Sequence, residues 1–166
     1  MSPEAQGLIQ LSAGRTAYEL TGPENAPLAV LVHGISVPSY IWDPTLPALL
    51  AACQLVLRYD LYGRGGSDRP KVDYNADLFD RQLFELLDGL GIQKPASLVG
   101  LSMGGPISAE FTRRRPERVE RLVLVDPAGF VAWKTIPIQL LRLPLLGEWL
   151  MNRFGRKMIV ASQPGD

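Results

Sequence analysis

Ser102 is the residue whose setting in this sequence most favours chemistry, because it stands between Gly100 and Gly104 in the stretch GLSMGG. An apolar run precedes the stretch and a helical pattern follows it, which is the setting of a nucleophilic serine at a sharp turn from strand to helix. Such a turn strains the backbone, and glycines two positions before and after the serine prevent collisions. The pattern predicts attack of the Ser102 hydroxyl on a carbonyl carbon.

Two backbone amides are expected to form an oxyanion hole beside this hydroxyl. Met103 opens the predicted helix, and its N–H would face the charge that develops on the attacked carbonyl oxygen. A second predicted strand ends at His33 and Gly34, and we expect it to lie beside the strand that leads to Ser102. The loop after this second strand begins at Ile35, whose N–H is the predicted second donor.

The base and the acid that would activate the serine have only weak candidates. His33 is the single histidine of the sequence, and a structural role in holding its own turn is favoured over a role as base. Asp126 ends a later predicted strand, where it is a candidate for the acid. The stretch VDPAG is also typical of a strand-end turn capped by aspartate, and that interpretation is favoured.

These residues belong to a pattern of short apolar segments that alternate with helices. LAVLVHG, CQLVLRYD, ASLVGLS and VERLVLVDPAG predict four buried strands, and LIQLSAGRTAYELTG predicts a pair of strands before them. Helical patterns occur in NADLFDRQLFELLDGLG and MGGPISAEFTRRRPE. The predicted fold class is therefore α/β, an open and mostly parallel sheet with helices on both faces. Such a sheet gathers functional side chains at the carboxyl ends of its strands, here His33, Asp60, Ser102 and Asp126.

Composition argues against several other classes of function. The 166 residues include 17 basic and 17 acidic side chains, so no overall charge favours nucleic acid or an anionic membrane. The cluster Arg113, Arg114 and Arg115 suits the carboxyl end of a helix better than an anion site. No secretory leader and no apolar run near the roughly 20 residues of a membrane span are present, which favours the cytoplasm. No metal-ligand spacing or dinucleotide motif occurs, so no cofactor is predicted.

Four stretches together resemble the α/β-hydrolase fold family: VLVHGIS, RYDLYGRGGSDRP, LVGLSMGGPIS and RPERVERLVLVDPAGF. Their order and spacing are similar to those of the family over roughly residues 8 to 130. The resemblance implies a serine hydrolase that acts on a small-molecule ester or acyl substrate through an acyl-enzyme on Ser102. Carboxylesterases, carbon–carbon bond hydrolases and haloperoxidase-like enzymes have similar elbows, and the motif does not choose among them.

One departure from the family pattern stands out, because the family order of catalytic residues is nucleophile, acid, histidine. No histidine follows Ser102, and the last two strands of the family sheet are apparently lacking. Residues 1–130 are predicted to be the N-terminal part of the hydrolase core, and residues 131–166 the start of a lid. Leucine, isoleucine and tryptophan residues between Trp133 and Phe154 predict an apolar acyl pocket.

Three explanations for this departure remain open. The chain is a truncated or proteolysed part of a longer hydrolase, or one half of a two-chain enzyme whose other half brings the acid and the histidine. Alternatively it is a short protein that oligomerises with itself through an apolar sheet edge. The last explanation leads to a second class of function, a catalytically inactive interaction module with a hydrolase fold.

Overall fold

A computed structural model describes residues 4–52 and 54–129 of the chain. The predicted lid and acyl-pocket segment, residues 131–166, lies outside the described residues. The strands are β1 (Glu4–Leu11), β2 (Gly14–Thr21), β3 (Leu28–Val32), β4 (Leu55–Tyr59), β5 (Ala96–Leu101) and β6 (Val119–Val125). The helices are α1 (Leu46–Ala51), α2 (Ala76–Gly89) and α3 (Gly104–Arg114), with short 3-10 turns at Ser39–Trp42 and Pro116–Arg118.

The six strands form one mixed sheet in the order β1-β2-β4-β3-β5-β6. β1 and β2 are an antiparallel pair, and β2 pairs antiparallel with β4. From β4 onward every pairing is parallel, through β3 and β5 to β6. The predicted α/β class with an open, mostly parallel sheet is therefore confirmed, as is the prediction that β3 and β5 are neighbours.

The middle of the sheet is buried as its sequence predicts. All five residues of β3 are buried, as are four of the five in β4, because layers of helix and loop cover these strands. In β5 buried residues alternate with half-buried ones. The core cluster on one face joins these strands to α2 and α3 through leucine and aromatic side chains, among them Leu57, Leu83, Leu98 and Phe111.

The prediction that VERLVLV forms a fourth buried strand is wrong. Residues Leu122 to Val125 of β6 are between 36% and 46% exposed. Within the described residues β6 pairs only with β5, so it is the edge of the described sheet. The apolar run indicates a strand correctly, but burial depends on neighbours that hydrophobicity alone does not reveal.

Helices α2 and α3 pack beside each other and are joined by ion pairs. Asn75 caps α2 by accepting a hydrogen bond from the Leu78 N–H at 3.0 Å. Arg114 and Arg115 of the predicted basic cluster both contact the buried carboxylate of Asp80. The cluster therefore fastens α3 to α2. Among the described helices, none combines the length and the apolar character needed to cross a bilayer.

Candidate active site

Ser102 lies at the turn from β5 into α3 and has a left-handed backbone, with φ of 51°. A side chain at Gly100 would overlap the backbone of Gly104, with its Cβ 2.8 Å from the Cα of Gly105. A side chain at Gly104 would overlap the end of β3, with its Cβ 2.7 Å from the carbonyl carbon of Val32. Both glycines are therefore sterically required, because three segments of backbone meet at this turn.

The end of β3 brings the loop at residues 34–38 against Ser102. Gly34 is so close that an added Cβ would lie 3.1 Å from the Cβ of Ser102 and 3.5 Å from its Oγ. The half-buried Ser102 and this loop line a common cavity of about 150 Å³. The other lining residues are Gly34, Ile35, Ser36, Val37, Ile41 and Leu101. The hydroxyl therefore stands beside a small space that a reacting group could enter.

Of the two residues whose amides are predicted to form an oxyanion hole, one lines this cavity and the other is next to Ser102 in the chain. Ile35 lines it directly, and Met103 follows Ser102 as the N-cap of α3. Within the described residues, neither the Met103 N–H nor the Ile35 N–H donates a hydrogen bond to the backbone. Amides at a helix start lack partners in the helix and favour negative charge. The start of α3 therefore favours negative charge beside Ser102.

Both ring nitrogens of the fully buried His33 are engaged by the backbone. Nε2 accepts a hydrogen bond from the Leu61 N–H at 2.9 Å, so the proton is assigned to Nδ1, which lies 2.7 Å from the Gly34 carbonyl oxygen. Burial lowers the pKa of His33 and favours the neutral ring. The geometry supports the structural interpretation of His33 over the catalytic one.

Asp60 and Arg64 connect two loops. One is the loop at residues 34–38 together with Ser39, and the other is the loop after β4. The buried carboxylate of Asp60 accepts hydrogen bonds from the N–H groups of Ser39 and Gly66, each at 2.8 Å. Arg64 Nε donates to the carbonyl oxygen of Ile35 at 3.3 Å. Sequence reasoning placed Asp60 at this edge without a role and did not single out Arg64. The available signal was an aspartate between a buried strand and a glycine-rich loop.

Asp126 follows β6, at the strand end next to Ser102. It also has a left-handed backbone, with φ of 42°, and it is exposed. The two turns are linked, since the Ser102 N–H donates to the Val125 carbonyl at 3.0 Å and the Ala128 N–H donates to the Ser102 carbonyl at 2.9 Å. The structure therefore places Asp126 at the predicted edge, as part of a turn bonded to the backbone of Ser102.

In residues 4–52 and 54–129, no three histidine, cysteine, aspartate or glutamate side chains form a group that could hold a metal ion.

The strand order and the serine turn agree with a known family. A model of the alpha/beta hydrolase fold matches residues 27–154. The chain belongs to the alpha/beta hydrolase fold family. The resemblance predicted from the four sequence stretches is thereby confirmed.

Relatives of this alpha/beta hydrolase include named esterases. An uncharacterised protein of Mycobacterium bovis is 34% identical over 81% of the chain and 38% of its own length. Carboxylesterase YbfK of Bacillus subtilis is 34% identical over 69% of the chain and 38% of its own length. The crystal structure of that carboxylesterase superposes with a TM-score of 0.69 at 30% identity, covering 76% of this chain and 44% of that one. The chain thus spans 38% of the length of these curated relatives.

Proposed function

We propose that this alpha/beta hydrolase hydrolyses small-molecule carboxylic esters with Ser102 as its nucleophile. The observation that carries the proposal is the left-handed Ser102 at the β5–α3 turn, beside a cavity that it shares with Ile35. A strained serine at such a turn projects its hydroxyl above the sheet. The carboxylesterase relatives favour an ester over other acyl substrates.

The reaction would proceed through two acyl transfers. The Ser102 Oγ attacks the ester carbonyl carbon while a base takes its proton, and the negative oxygen accepts hydrogen bonds from the N–H groups of Met103 and Ile35. The carbon–oxygen bond to the alcohol then breaks, and the alcohol leaves with that proton. Water attacks the resulting acyl-serine, gives a proton to the same base, and releases the acid as the proton returns to Ser102.

The base and the acid of this reaction are proposed to come from polypeptide outside these 166 residues. His33 is the single histidine of the sequence, and both its ring nitrogens are engaged by backbone groups. Asp126 is proposed to serve its turn, since no histidine in the sequence is available for it to orient. Residues 1–130 would then be the N-terminal part of a hydrolase core and residues 131–166 the start of a lid.

Labelling by an active-site fluorophosphonate, followed by intact-mass spectrometry, tests this proposal. Free imidazole should substitute for the external base, so we expect a single adduct on Ser102 whose formation accelerates when imidazole is added. Ser102→Ala should abolish the adduct. Ser97→Ala is the matched control, because Ser97 lies on the same strand at the end away from the turn.

Three results would contradict the proposal in different ways. An adduct of equal yield in Ser102→Ala would show that another group reacts. Rapid labelling without imidazole that is lost in His33→Gln would identify His33 as the base. Absence of an adduct with imidazole, and in any complex that copurifies, would exclude Ser102 as an activated nucleophile.

A second candidate function is favoured by the exposed β6 edge. Leu122, Val123, Leu124 and Val125 form a contiguous apolar run there. An edge of this kind is able to pair with another chain, as an inactive interaction module would require. Light scattering after size exclusion tests this candidate: a stable homo-oligomer of unlabelled chains supports it, and a labelled monomer contradicts it.

A further inference from the structure

A second and larger cavity adjoins the space beside Ser102. It has a volume of about 590 Å³ and shares Ile35 and Ser36 with the smaller cavity. Pro38 also lines it. The other lining residues follow β4 in the chain, namely Gly63, Arg64, Gly65, Arg69 and Tyr74. A molecule whose ester reaches Ser102 could therefore place another group in this cavity.

Among the described residues that line the larger cavity, two are cations and none is acidic. Arg64 and Arg69 both face it, and neither forms an ion pair with any described residue. Arginines elsewhere in the described chain, such as Arg58 and Arg114, do pair with carboxylates. The Asp60 carboxylate lies behind Gly65 and accepts hydrogen bonds from the Ser39 and Gly66 N–H groups, so the charged residues at the cavity lining are the two arginines.

Arg64 is held in place but retains donors for a ligand. Its Nε donates to the Ile35 carbonyl oxygen and its Nη1 to the Tyr62 carbonyl oxygen, at 3.3 and 2.9 Å. No hydrogen bond of Nη2 to a described residue is present. The side chain is half-buried, and this burial lowers the pKa of Arg64, although a guanidinium stays charged at neutral pH. A half-buried cation without a counter-ion is costly, and a bound anion would offset that cost.

We propose that this cavity binds a carboxylate group of the substrate, through Arg64 and Arg69. The planar guanidinium matches a carboxylate with paired hydrogen bonds. The substrate would then be an ester that also carries a carboxylate, which rests on the proposed ester hydrolysis at Ser102. This class differs from the apolar acyl substrate that residues 133–154 predict. Arg64 would act at both places, since it also donates to the carbonyl oxygen of Ile35, the residue whose N–H is the proposed donor.

Binding to the Ser102→Ala variant tests the inference without requiring catalysis. Monomethyl glutarate, which carries one carboxylate, is compared with the neutral dimethyl glutarate by nuclear magnetic resonance titration of backbone amides. We expect the anion to bind about tenfold more tightly than the neutral ester, with shifts at Gly63 and Gly65. Added salt should weaken the binding of the anion and leave the binding of the neutral ester unchanged.

Variants of the two arginines assign the binding to the cavity. Arg64→Gln and Arg69→Gln should each reduce the roughly tenfold preference for the anion over the neutral ester. Arg69→Gln is the more direct variant, because Arg69 makes no hydrogen bond that would perturb Ile35. Arg113→Gln removes the same charge at the far end of α3 and should leave binding unchanged.

Equal binding of the anion and the neutral ester would overturn the inference, as would binding that survives Arg69→Gln together with Arg64→Gln. Selective anion binding with no fluorophosphonate adduct in the wild-type chain would mean that the anion site exists and the proposed hydrolysis fails. An adduct on Ser102 without anion preference would mean the reverse. The two proposals can therefore fail separately.

Discussion

Ser102 and Asp126 occupy the ends of adjacent parallel strands with the same unusual backbone, yet their surroundings differ. Their φ values are 51° and 42°, and both are non-glycine residues in the left-handed region. Ser102 is half-buried between the end of β3 and the turn after β6, whereas Asp126 is exposed at the edge of the described sheet. Hydrogen bonds from the backbone of each turn to the other connect the two.

The difference shows that a left-handed residue does not by itself make a reactive site. The conformation costs a non-glycine residue about 1–2 kcal/mol wherever it occurs. At Ser102 the close approach of β3 to Gly104 leaves the chain little room to relax. There the strain is accompanied by a cavity and by amides able to face an oxyanion. At Asp126 the same strain belongs to an exposed turn.

The largest expected effect comes from filling the close approach beside Ser102. Gly104→Ala would drive a methyl group into the backbone of Val32, so we expect a loss of about 3 kcal/mol or more in the free energy of unfolding. Gly91→Ala is the matched control, because Gly91 has φ of 69° and no atom within 4 Å of an added Cβ. That variant should lose about 1 kcal/mol, from backbone strain alone.

Urea denaturation of both variants measures this difference. An insoluble Gly104→Ala beside a folded Gly91→Ala would agree with the expectation. Equal losses in the two variants would mean that the approach of β3 does not confine the turn. Ser102 and Asp126 would then differ only in how exposed they are.

A smaller effect on stability is expected from the buried His33, which lies next to the loop that contacts Ser102. Burial lowers the pKa of His33 below its ordinary 6.5, so the unfolded chain takes up a proton before the folded one does. Stability should be constant above pH 6.5 and fall as the pH drops below that value. The sequence has a single histidine, so the fall above about pH 5 is assigned to His33 alone.

His33→Gln provides the control for this pH dependence. It should remove the fall between pH 6.5 and about 5, and it should lower stability at neutral pH by about 2 kcal/mol through the unpaired Leu61 N–H. Urea midpoints across this range give the measurement. A wild-type profile that is flat in this range would contradict the expectation, because it would mean that the folded ring is protonated as readily as the unfolded one although Nε2 accepts a hydrogen bond.

The sequence predicts one side of this comparison better than the other, for physical reasons. Ser102, Gly100 and Gly104 are close in the chain, and their steric requirement is local, so the motif reveals it. Apolar runs also predict the strands. The exposure of β6 and the contact of Arg64 with the Ile35 carbonyl depend on which segments meet in space. No local pattern encodes those meetings.

The smallest expected effect tests whether the two turns store the same strain. In a left-handed position glycine is favoured over alanine, whereas in a helix the order is reversed. We therefore expect Asp126→Gly to be about 1 kcal/mol more stable than Asp126→Ala, and the same sign for Ser102→Gly over Ser102→Ala. Ala109→Gly within α3 should instead lose about 1 kcal/mol relative to the wild type.

Urea midpoints of these variants decide how far the comparison holds. The same sign at both turns would mean that strain is common to them, so that any difference in labelling by fluorophosphonate comes from the surroundings of Ser102. A preference for alanine at Asp126 alone would mean that its turn relaxes in solution. The left-handed backbone would then distinguish Ser102 after all, because only the site enclosed by β3 and Gly104 would hold a residue in that conformation.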